Sequence, residues 1–271
     1  MLTAASHLKR KINLPIRKVK SVMRRFFVEN KFIGDTLSTI SGAEAHHIKT
    51  VLRMQTGDFI EIVDGSGYAY LSEIKDITDD YVRIQVHQKY ETRSESNLKL
   101  TMAVGFLKEK KMEELIRHLT ELGINRFIPV VTARSIARPP EKRMNTRIAR
   151  WHNIAREAVK QSRRGQVPEI AMPVSLDEAL RLSTNSDKKI FFWEKAESAL
   201  INSDESPNGI DDAFVMIGPE GGFTEQEALN AIDRGFTSVS MGPRILRAET
   251  AAIAACTLIQ YLYGDIRKKS P

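Results

Sequence analysis

The stretch AFVMIGPEGGFTEQE, residues 213–227, is the strongest indication of the fold in the sequence. Its first five residues form an uninterrupted apolar run, which predicts a strand buried on both faces, as in a parallel sheet. The glycines of residues 218–223 allow either a ligand-binding turn with exposed backbone amides or simply a tight connection. Thr224 to Glu227 is a capping-box sequence, which predicts that a helix begins there.

The same succession of apolar run and helical pattern recurs along residues 98–271. Strands are predicted at Leu98 to Leu107, Ile124 to Val131, Ile190 to Trp193, Ala213 to Ile217 and Phe236 to Met241. Helices are predicted at Lys111 to Leu122, Glu141 to Arg164, from Ser175 onwards, from Thr224 onwards, and at Ala251 to Tyr263. Alternating strands and helices indicate an α/β domain with a parallel sheet.

A second polar loop, Met241 to Thr250, also joins a predicted strand to a predicted helix. Two arginines and a glutamate beside a glycine-proline turn exceed what a connector needs, although a solvated loop with Glu249 near a helix N-terminus would look similar. Open α/β sheets bind ligands at the carboxyl ends of their strands. The two loops therefore predict one shared ligand pocket.

Short strands and turns dominate residues 24–90, where we expect a small, mostly antiparallel barrel. Asp64 to Gly67 is typical of a hairpin, and Val82, Ile84 and Val86 alternate with polar residues. Residues 91–97 lack a regular period and are predicted to be a linker to the domain of residues 98–271. Residues 1–23 are expected to be a disordered basic leader.

The charge of the chain is concentrated at its start. Eight of the 41 basic residues and none of the 34 acidic ones lie in residues 1–28, so the formal charge of +7 belongs mainly to that segment. The segment is either a transit peptide, an RNA-binding arm or sequence upstream of a second start at Met23. No secretory signal or membrane span is visible. The single cysteine, Cys256, excludes disulfides within the chain and is expected in the core.

Several common sites are not indicated by the sequence. Gly65 and Gly67 form the only Gly-x-Gly, without the third glycine of a dinucleotide-binding fingerprint. His46 and His47 are adjacent and therefore point to different faces of a helix, so no metal site is predicted. A nucleotide-binding phosphotransferase that uses residues 218–223 as a phosphate nest would lack a Gly-Lys-Ser/Thr element.

The two loops resemble the signature of the ribosomal RNA small subunit methyltransferase E family, which belongs to the knotted SPOUT class. Residues 217–224 and 242–251 carry the resemblance, which extends over residues 24–265. Outside the loops it rests on Arg24 to Phe27, His47, Val51 to Met54, Thr120 to Gly123, Arg134 with Ser135, Trp151, Glu157 with Ala158, Gln161, Ser162, Arg164, and Val167 to Glu169.

This resemblance implies both a fold and a reaction. The fold is a PUA-like β-barrel followed by a parallel-sheet α/β domain with a C-terminal trefoil knot. The reaction is the S-adenosyl-L-methionine-dependent methylation of N3 of a uridine in small-subunit, 16S-type ribosomal RNA, carried out by a homodimer. The expected cofactor-binding residues are Ile217, Gly218, Glu220, Gly221, Gly222, Met241, Gly242, Ile245, Leu246 and Thr250.

The reaction also needs a proton acceptor and donors for the RNA. Glu249 is the predicted acceptor, and Glu220 is the competing candidate. Arg244 and Arg247 are predicted to bind phosphate or the uracil oxygens, where developing negative charge needs donors. Further RNA contacts are expected at Arg25, Arg53, Arg134 and Arg164.

The remaining expectations concern partners and rival functions. The RNA substrate is either naked or part of an assembled 30S-type subunit, with no membrane partner. The cytoplasm is the expected location, with an organelle as the alternative if the leader is a transit peptide. The rival functions are a catalytically silent RNA-binding or assembly protein and a SPOUT methyltransferase with a different RNA target.

Overall fold

The computed structural model describes residues 23–28, 37–139, 141–197 and 209–267. Apart from Met23, the predicted leader of residues 1–23 lies outside the described residues. The chain divides into two compact units, residues 1–91 and 92–271. Each unit has its own hydrophobic core.

The first unit contains a five-stranded sheet with the order β1-β3-β4-β5-β2. Its neighbouring strands are antiparallel except for the parallel pair β1 and β3, which confirms the predicted small, mostly antiparallel domain. Its strands are β1 (Arg25–Phe27), β2 (Leu37–Ser41), β3 (Phe59–Val63), β4 (Tyr68–Ile77) and β5 (Tyr81–Glu91). A short helix α1 (Gly42–His46) and a π-helical turn (His47–Val51) follow β2.

The predicted hairpin at Asp64 joins β3 to β4. The Asp64 carboxylate accepts hydrogen bonds from the backbone N–H of Ser66 at 2.9 Å and from the Tyr70 hydroxyl at 2.9 Å. Burial is the main reason that the pKa of Tyr70 rises to about 12, and the Asp64 carboxylate adds to the effect. The turn is thus fixed by a side chain that is itself buried.

The second unit is built on a seven-stranded parallel sheet in the part of the chain that the structure describes. The strand order is β12-β10-β11-β6-β7-β8, with β9 also paired to β7. Its strands are β6 (Lys99–Gly105), β7 (Arg126–Val131), β8 (Glu169–Ile170), β9 (Val174–Ser175), β10 (Lys188–Phe192), β11 (Asp212–Ile217) and β12 (Thr237–Val239). The prediction of a small β-domain followed by a parallel-sheet α/β domain is confirmed.

Helices cover both faces of this sheet. They are α2 (Glu109–Glu121), α3 (Met144–Ser162), α4 (Leu176–Leu182), α5 (Glu225–Asp233) and α6 (Ala248–Leu262). Along β11, Val215 packs with α2, α3 and α6, whereas Phe214 and Met216 pack with α4 and α5. This alternation explains why the strand is apolar throughout, since each face meets a helical layer.

Two predictions about the interior of the second unit have clear outcomes. Cys256 on α6 is 0% exposed, and burial raises the pKa of its thiol to about 12, which confirms it as a core residue. Thr224 caps α5 through a complete capping box with Glu227, as its sequence predicted.

Residues of the predicted linker are bound tightly to the second unit. The Glu95 carboxylate accepts from the Arg164 guanidinium at 2.7 Å and from the backbone N–H groups of Gly165 at 2.6 Å and Gln166 at 3.0 Å. Arg164 also donates to the carbonyl of Thr120 at 2.7 Å. Removing one partner of such a buried ion pair costs about 3–5 kcal/mol, so this network anchors the start of the unit.

Candidate active site

A pocket of about 360 Å³ lies at the carboxyl ends of β10, β11 and β12. The loop after β11, residues 218–223, and the loop after β12, residues 240–247, form two of its walls. We call these the first loop and the second loop. Because β10 lies between β11 and β12 in the sheet, the end of β10 supplies the surface between them.

The structure brings together most of the residues predicted from the sequence. Nine of the ten expected cofactor residues line the pocket, all except Thr250. Arg244 and Arg247 also line it, whereas Glu249 lies just beyond them on the first turn of α6.

The first loop is held close to the end of β6. A Cβ atom added to Gly105 would lie 2.2 Å from the backbone nitrogen of Pro219, so only glycine permits this approach. Gly222 has a φ of +67°, and its backbone N–H donates to the Pro219 carbonyl at 2.9 Å to close the turn.

Arg134 binds the first loop from the segment that follows β7. Its guanidinium donates to the carbonyls of Gly221 at 3.3 Å and Phe223 at 3.2 Å. The adjacent backbone N–H of Ala133 donates to Glu227 of the capping box at 2.8 Å. Arg134, predicted as an RNA contact, therefore shapes the glycine loop.

The second loop is much more exposed. Gly242 has a φ of +94°, and a Cβ atom added there would have no neighbour within 4 Å. Ile245, expected to bind the cofactor, is 88% exposed. Leu246 packs against the core of the second unit and ties the loop to the fold.

Lys111 joins the two predicted proton acceptors. Its ammonium lies 3.2 Å from a carboxylate oxygen of Glu220 and 3.3 Å from one of Glu249. Partial burial alone would lower the pKa of Lys111, but the hydrogen bonds to both carboxylates outweigh burial and raise the pKa. The two candidate acceptors thus share one cation.

Six site residues were not predicted in these roles: Gly105, Lys111, Arg134, and Phe192, Trp193 and Glu194 at the end of β10. The last three line the pocket. The indole N–H of Trp193 is buried and has no hydrogen-bond partner among the described residues. Sequence reasoning missed the three residues at the end of β10 because the position of β10 between β11 and β12 is a property of strand order, which no local pattern encodes.

The predicted RNA contacts have different surroundings. Arg53 is exposed and has a φ of 51°, which is rare for a residue with a side chain. The Arg25 side chain is 9% exposed and its Nε lies 2.6 Å from a Glu61 carboxylate oxygen. Arg164 is 2% exposed, so its guanidinium offers no surface to a phosphate, and we leave it out of the proposed RNA-contacting set.

Two arginines of α3 form ion pairs with glutamates of α2. Arg147 lies 2.9 Å from Glu109 and Arg150 lies 2.7 Å from Glu113.

Within the described ranges, no group of three or more side chains could hold a metal ion. No described helix is long and apolar enough to cross a membrane.

Two family models match the chain, one in each unit. Residues 94–260 match a model described as an RNA methyltransferase domain, and residues 40–86 match an RNA methyltransferase PUA domain. The fold and the pocket at the strand ends therefore define the class: an RNA methyltransferase with a PUA domain.

Relatives that match along their whole length narrow the class further. The chain is 33% identical over 258 residues to ribosomal RNA small subunit methyltransferase E of Bacillus subtilis, covering 90% of this chain and 100% of the relative. The solved structure of the Neisseria gonorrhoeae enzyme of that name, bound to S-adenosyl methionine, has 30% identity and a TM-score of 0.81, covering 90% of this chain and 99% of that one.

A second solved structure comes from Legionella pneumophila. It is a methyltransferase in complex with bound S-adenosyl methionine, with 29% identity and a TM-score of 0.82, covering 90% of this chain and 99% of that chain. The chain described here belongs to the ribosomal RNA small subunit methyltransferase E family.

Proposed function

We propose that this chain transfers a methyl group from S-adenosyl-L-methionine to N3 of a uridine in small-subunit ribosomal RNA. The observation that carries the proposal is the pocket formed by the two glycine-containing loops at the ends of β11 and β12. Two similar solved structures, from Neisseria gonorrhoeae and Legionella pneumophila, hold this cofactor. The position on the base rests on the resemblance of residues 217–224 and 242–251 to the family signature.

The pocket suits the cofactor by size and by chemistry. Its volume of about 360 Å³ lies within the range of small-molecule sites. Ile217, Met241 and Leu246 offer apolar contacts for adenine, and the glycines leave backbone groups accessible. The carboxylate of Glu194 supplies an acceptor at the end of β10.

Bound S-adenosyl-L-methionine supplies an electrophilic methyl group on a positively charged sulfur. The protein must remove the N3 proton so that the nitrogen lone pair can form the new bond to carbon. The bond between carbon and sulfur breaks, and its electrons stay on sulfur. Glu249 is the proposed proton acceptor, and general-base assistance of this kind contributes about 10² to 10⁴ in rate.

Glu220 remains the competing acceptor for a geometric reason. It lines the pocket, whereas Glu249 does not, and both contact Lys111. Arg244 and Arg247 are exposed at the same mouth, where they can donate to uracil oxygens or to the flanking phosphate. A base must leave its stack to reach such a pocket.

The proposed assembly is a homodimer that acts on RNA in the cytoplasm, with a trefoil knot in its last segments. On α6, Leu258 is 36% exposed and Tyr261 48% exposed, and their spacing places them on one face of the helix. This apolar surface supports contact with a second copy. Light scattering at several concentrations measures the mass, and a concentration-independent monomer would contradict the dimer.

Calorimetric titration with S-adenosyl-L-methionine and, separately, with ATP tests the cofactor. We expect saturable binding of S-adenosyl-L-methionine alone. Binding of ATP alone would favour a phosphotransferase, and binding of neither would favour a silent RNA-binding protein.

Methylation assays then test the substrate. The enzyme is incubated with naked small-subunit RNA and with assembled subunits from a strain that lacks the modification, and the product nucleoside is identified by mass spectrometry. We expect N3-methyluridine at one position. A different methylated nucleoside would overturn the assignment of the base, and the RNA form that reacts identifies the substrate.

A further inference from the structure

Lys111 occupies a position where the local structure of a helix disfavours a cation. It lies in the first turn of α2, which begins at Glu109, close to the positive end of the helix dipole. An acidic or neutral residue would suit that turn better. The carboxylates that stabilise this cation lie outside the helix.

Those groups are Glu220 of the first loop and Glu249 at the start of α6. The two carboxylates are 109 and 138 residues away in sequence, and both lie within 3.3 Å of the same ammonium. Without a cation between them, two carboxylates at this separation would repel one another. A lysine suits the task because its compact charge can contact two acceptors at once.

We propose that Lys111 is a positioning residue that ties the first loop to the start of α6 and thereby sets the geometry of the pocket. The proposal rests on the proposed function for its effect on catalysis. Lys111 does not line the pocket, so it acts through Glu220 and Glu249.

The expected effect of removing the Lys111 ammonium follows from the exposure of the three side chains. The side chains of Lys111, Glu220 and Glu249 are 33%, 24% and 25% exposed. Exposed ion pairs are weak, and two such pairs acting on one lysine support changes of about five- to tenfold. The link therefore matters for alignment more than for the stability of the whole unit.

The test compares Lys111→Met, Lys111→Arg and the matched control Lys110→Met, since Lys110 is exposed on the same turn of α2. Lys111→Met should weaken S-adenosyl-L-methionine binding and lower kcat, each by about five- to tenfold, while the KM for RNA stays within about twofold. Lys111→Arg should restore most of both losses because it keeps the charge. Lys110→Met should match the wild type.

If the wild type is active, and Lys111→Met and Lys110→Met have the same cofactor affinity and the same kcat, the positioning role is overturned. A loss that Lys111→Arg does not restore, accompanied by a raised KM for RNA, would also overturn it, because that pattern indicates direct RNA contact.

A second measurement does not depend on activity. Hydrogen exchange of the full chain should show faster exchange of amides in residues 218–223 and 247–250 in Lys111→Met than in Lys110→Met. A double-mutant cycle of Lys111→Met with Glu249→Gln in chemical unfolding should be non-additive. If the wild type binds no cofactor, the proposed function fails, whereas additive unfolding and unchanged exchange overturn the link itself.

Discussion

The first and second loops leave neighbouring parts of one sheet edge, but they are supported very differently. Arg134, Gly105 and the capping box hold the first loop through direct contacts with backbone atoms. The second loop has an open glycine, Gly242, and an isoleucine, Ile245, that is 88% exposed. One wall of the pocket is thus preformed, while the other carries exposed polar and apolar side chains.

The difference indicates that the two loops have different roles in binding. A preformed wall lowers the entropy lost on cofactor binding, because its backbone is already ordered. Ile245 lines the pocket and is exposed, so a bound molecule can cover its apolar surface. We therefore expect the first loop to set cofactor affinity and the second loop to respond to cofactor, RNA or a second copy of the chain.

The largest expected effect concerns Glu249, the proposed proton acceptor, which lies just after the second loop. Glu249→Gln keeps the shape of the side chain but removes the basic carboxylate, so kcat should fall by about 10² to 10⁴, whereas cofactor binding should weaken by no more than about tenfold through the weakened contact with Lys111. Glu220→Gln is the matched variant on the first loop. Single-turnover methylation measures both, and a greater loss in Glu220→Gln would move the base to the first loop.

Alanine substitutions at Gly105 and Gly242 should lower the unfolding free energy by different amounts, because the wall formed by the first loop is preformed and that formed by the second loop is open. At Gly105 the new Cβ would meet the Pro219 backbone nitrogen at 2.2 Å and its Cδ at 2.6 Å, so the unfolding free energy should fall by about 3 kcal/mol. At Gly242 no atom lies within 4 Å, and the positive φ alone should cost about 1 kcal/mol. Urea unfolding compares the two variants, and equal losses would mean that the walls are equally rigid.

Arginine substitutions test which contacts serve the cofactor and which the RNA. Arg134→Met removes two hydrogen bonds to first-loop carbonyls and should weaken S-adenosyl-L-methionine binding about tenfold, or about 1.4 kcal/mol. Arg244→Met should instead raise the KM for RNA, because its side chain is exposed at the mouth. Calorimetry and steady-state kinetics measure the two, and the reverse pattern would contradict the assignment of roles.

The smallest effect is expected at Ile245. Because the side chain is 88% exposed, Ile245→Ser should change the unfolding free energy of the free protein by less than about 0.5 kcal/mol. Cofactor affinity should fall by a few-fold, since an apolar contact is lost only in the bound state. Thermal unfolding with and without cofactor tests this, and a large loss in the free protein would show that the loop is already covered.

Local patterns predicted the second unit well because its elements carry strong local signals. The apolar run of residues 213–217 became β11, and Thr224 with Glu227 became a complete capping box. The two loops also met as predicted, since parallel strands end at one edge. Boundaries moved by a few residues: the helix predicted from Ala251 begins at Ala248, which places Glu249 within its first turn.

Arginines were the least predictable residues. The sequence treats Arg25, Arg134 and Arg164 alike as cations that can meet phosphate. In the structure Arg25 meets Glu61, Arg134 binds loop carbonyls, and Arg164 is buried with Glu95. Their partners are distant in sequence, and charge alone does not reveal whether a guanidinium meets solvent, a carboxylate or a carbonyl.

The two-part fold, the glycine loops and the family were predictable from the sequence, because apolar periodicity, turn residues and loop signatures are local properties. Only the tertiary structure placed β10 between β11 and β12, brought Trp193 and Glu194 to the pocket, and set Lys111 between Glu220 and Glu249. Strand order and contacts between distant residues arise when whole layers pack, and the energy that selects them is spread over many residues rather than encoded in one segment.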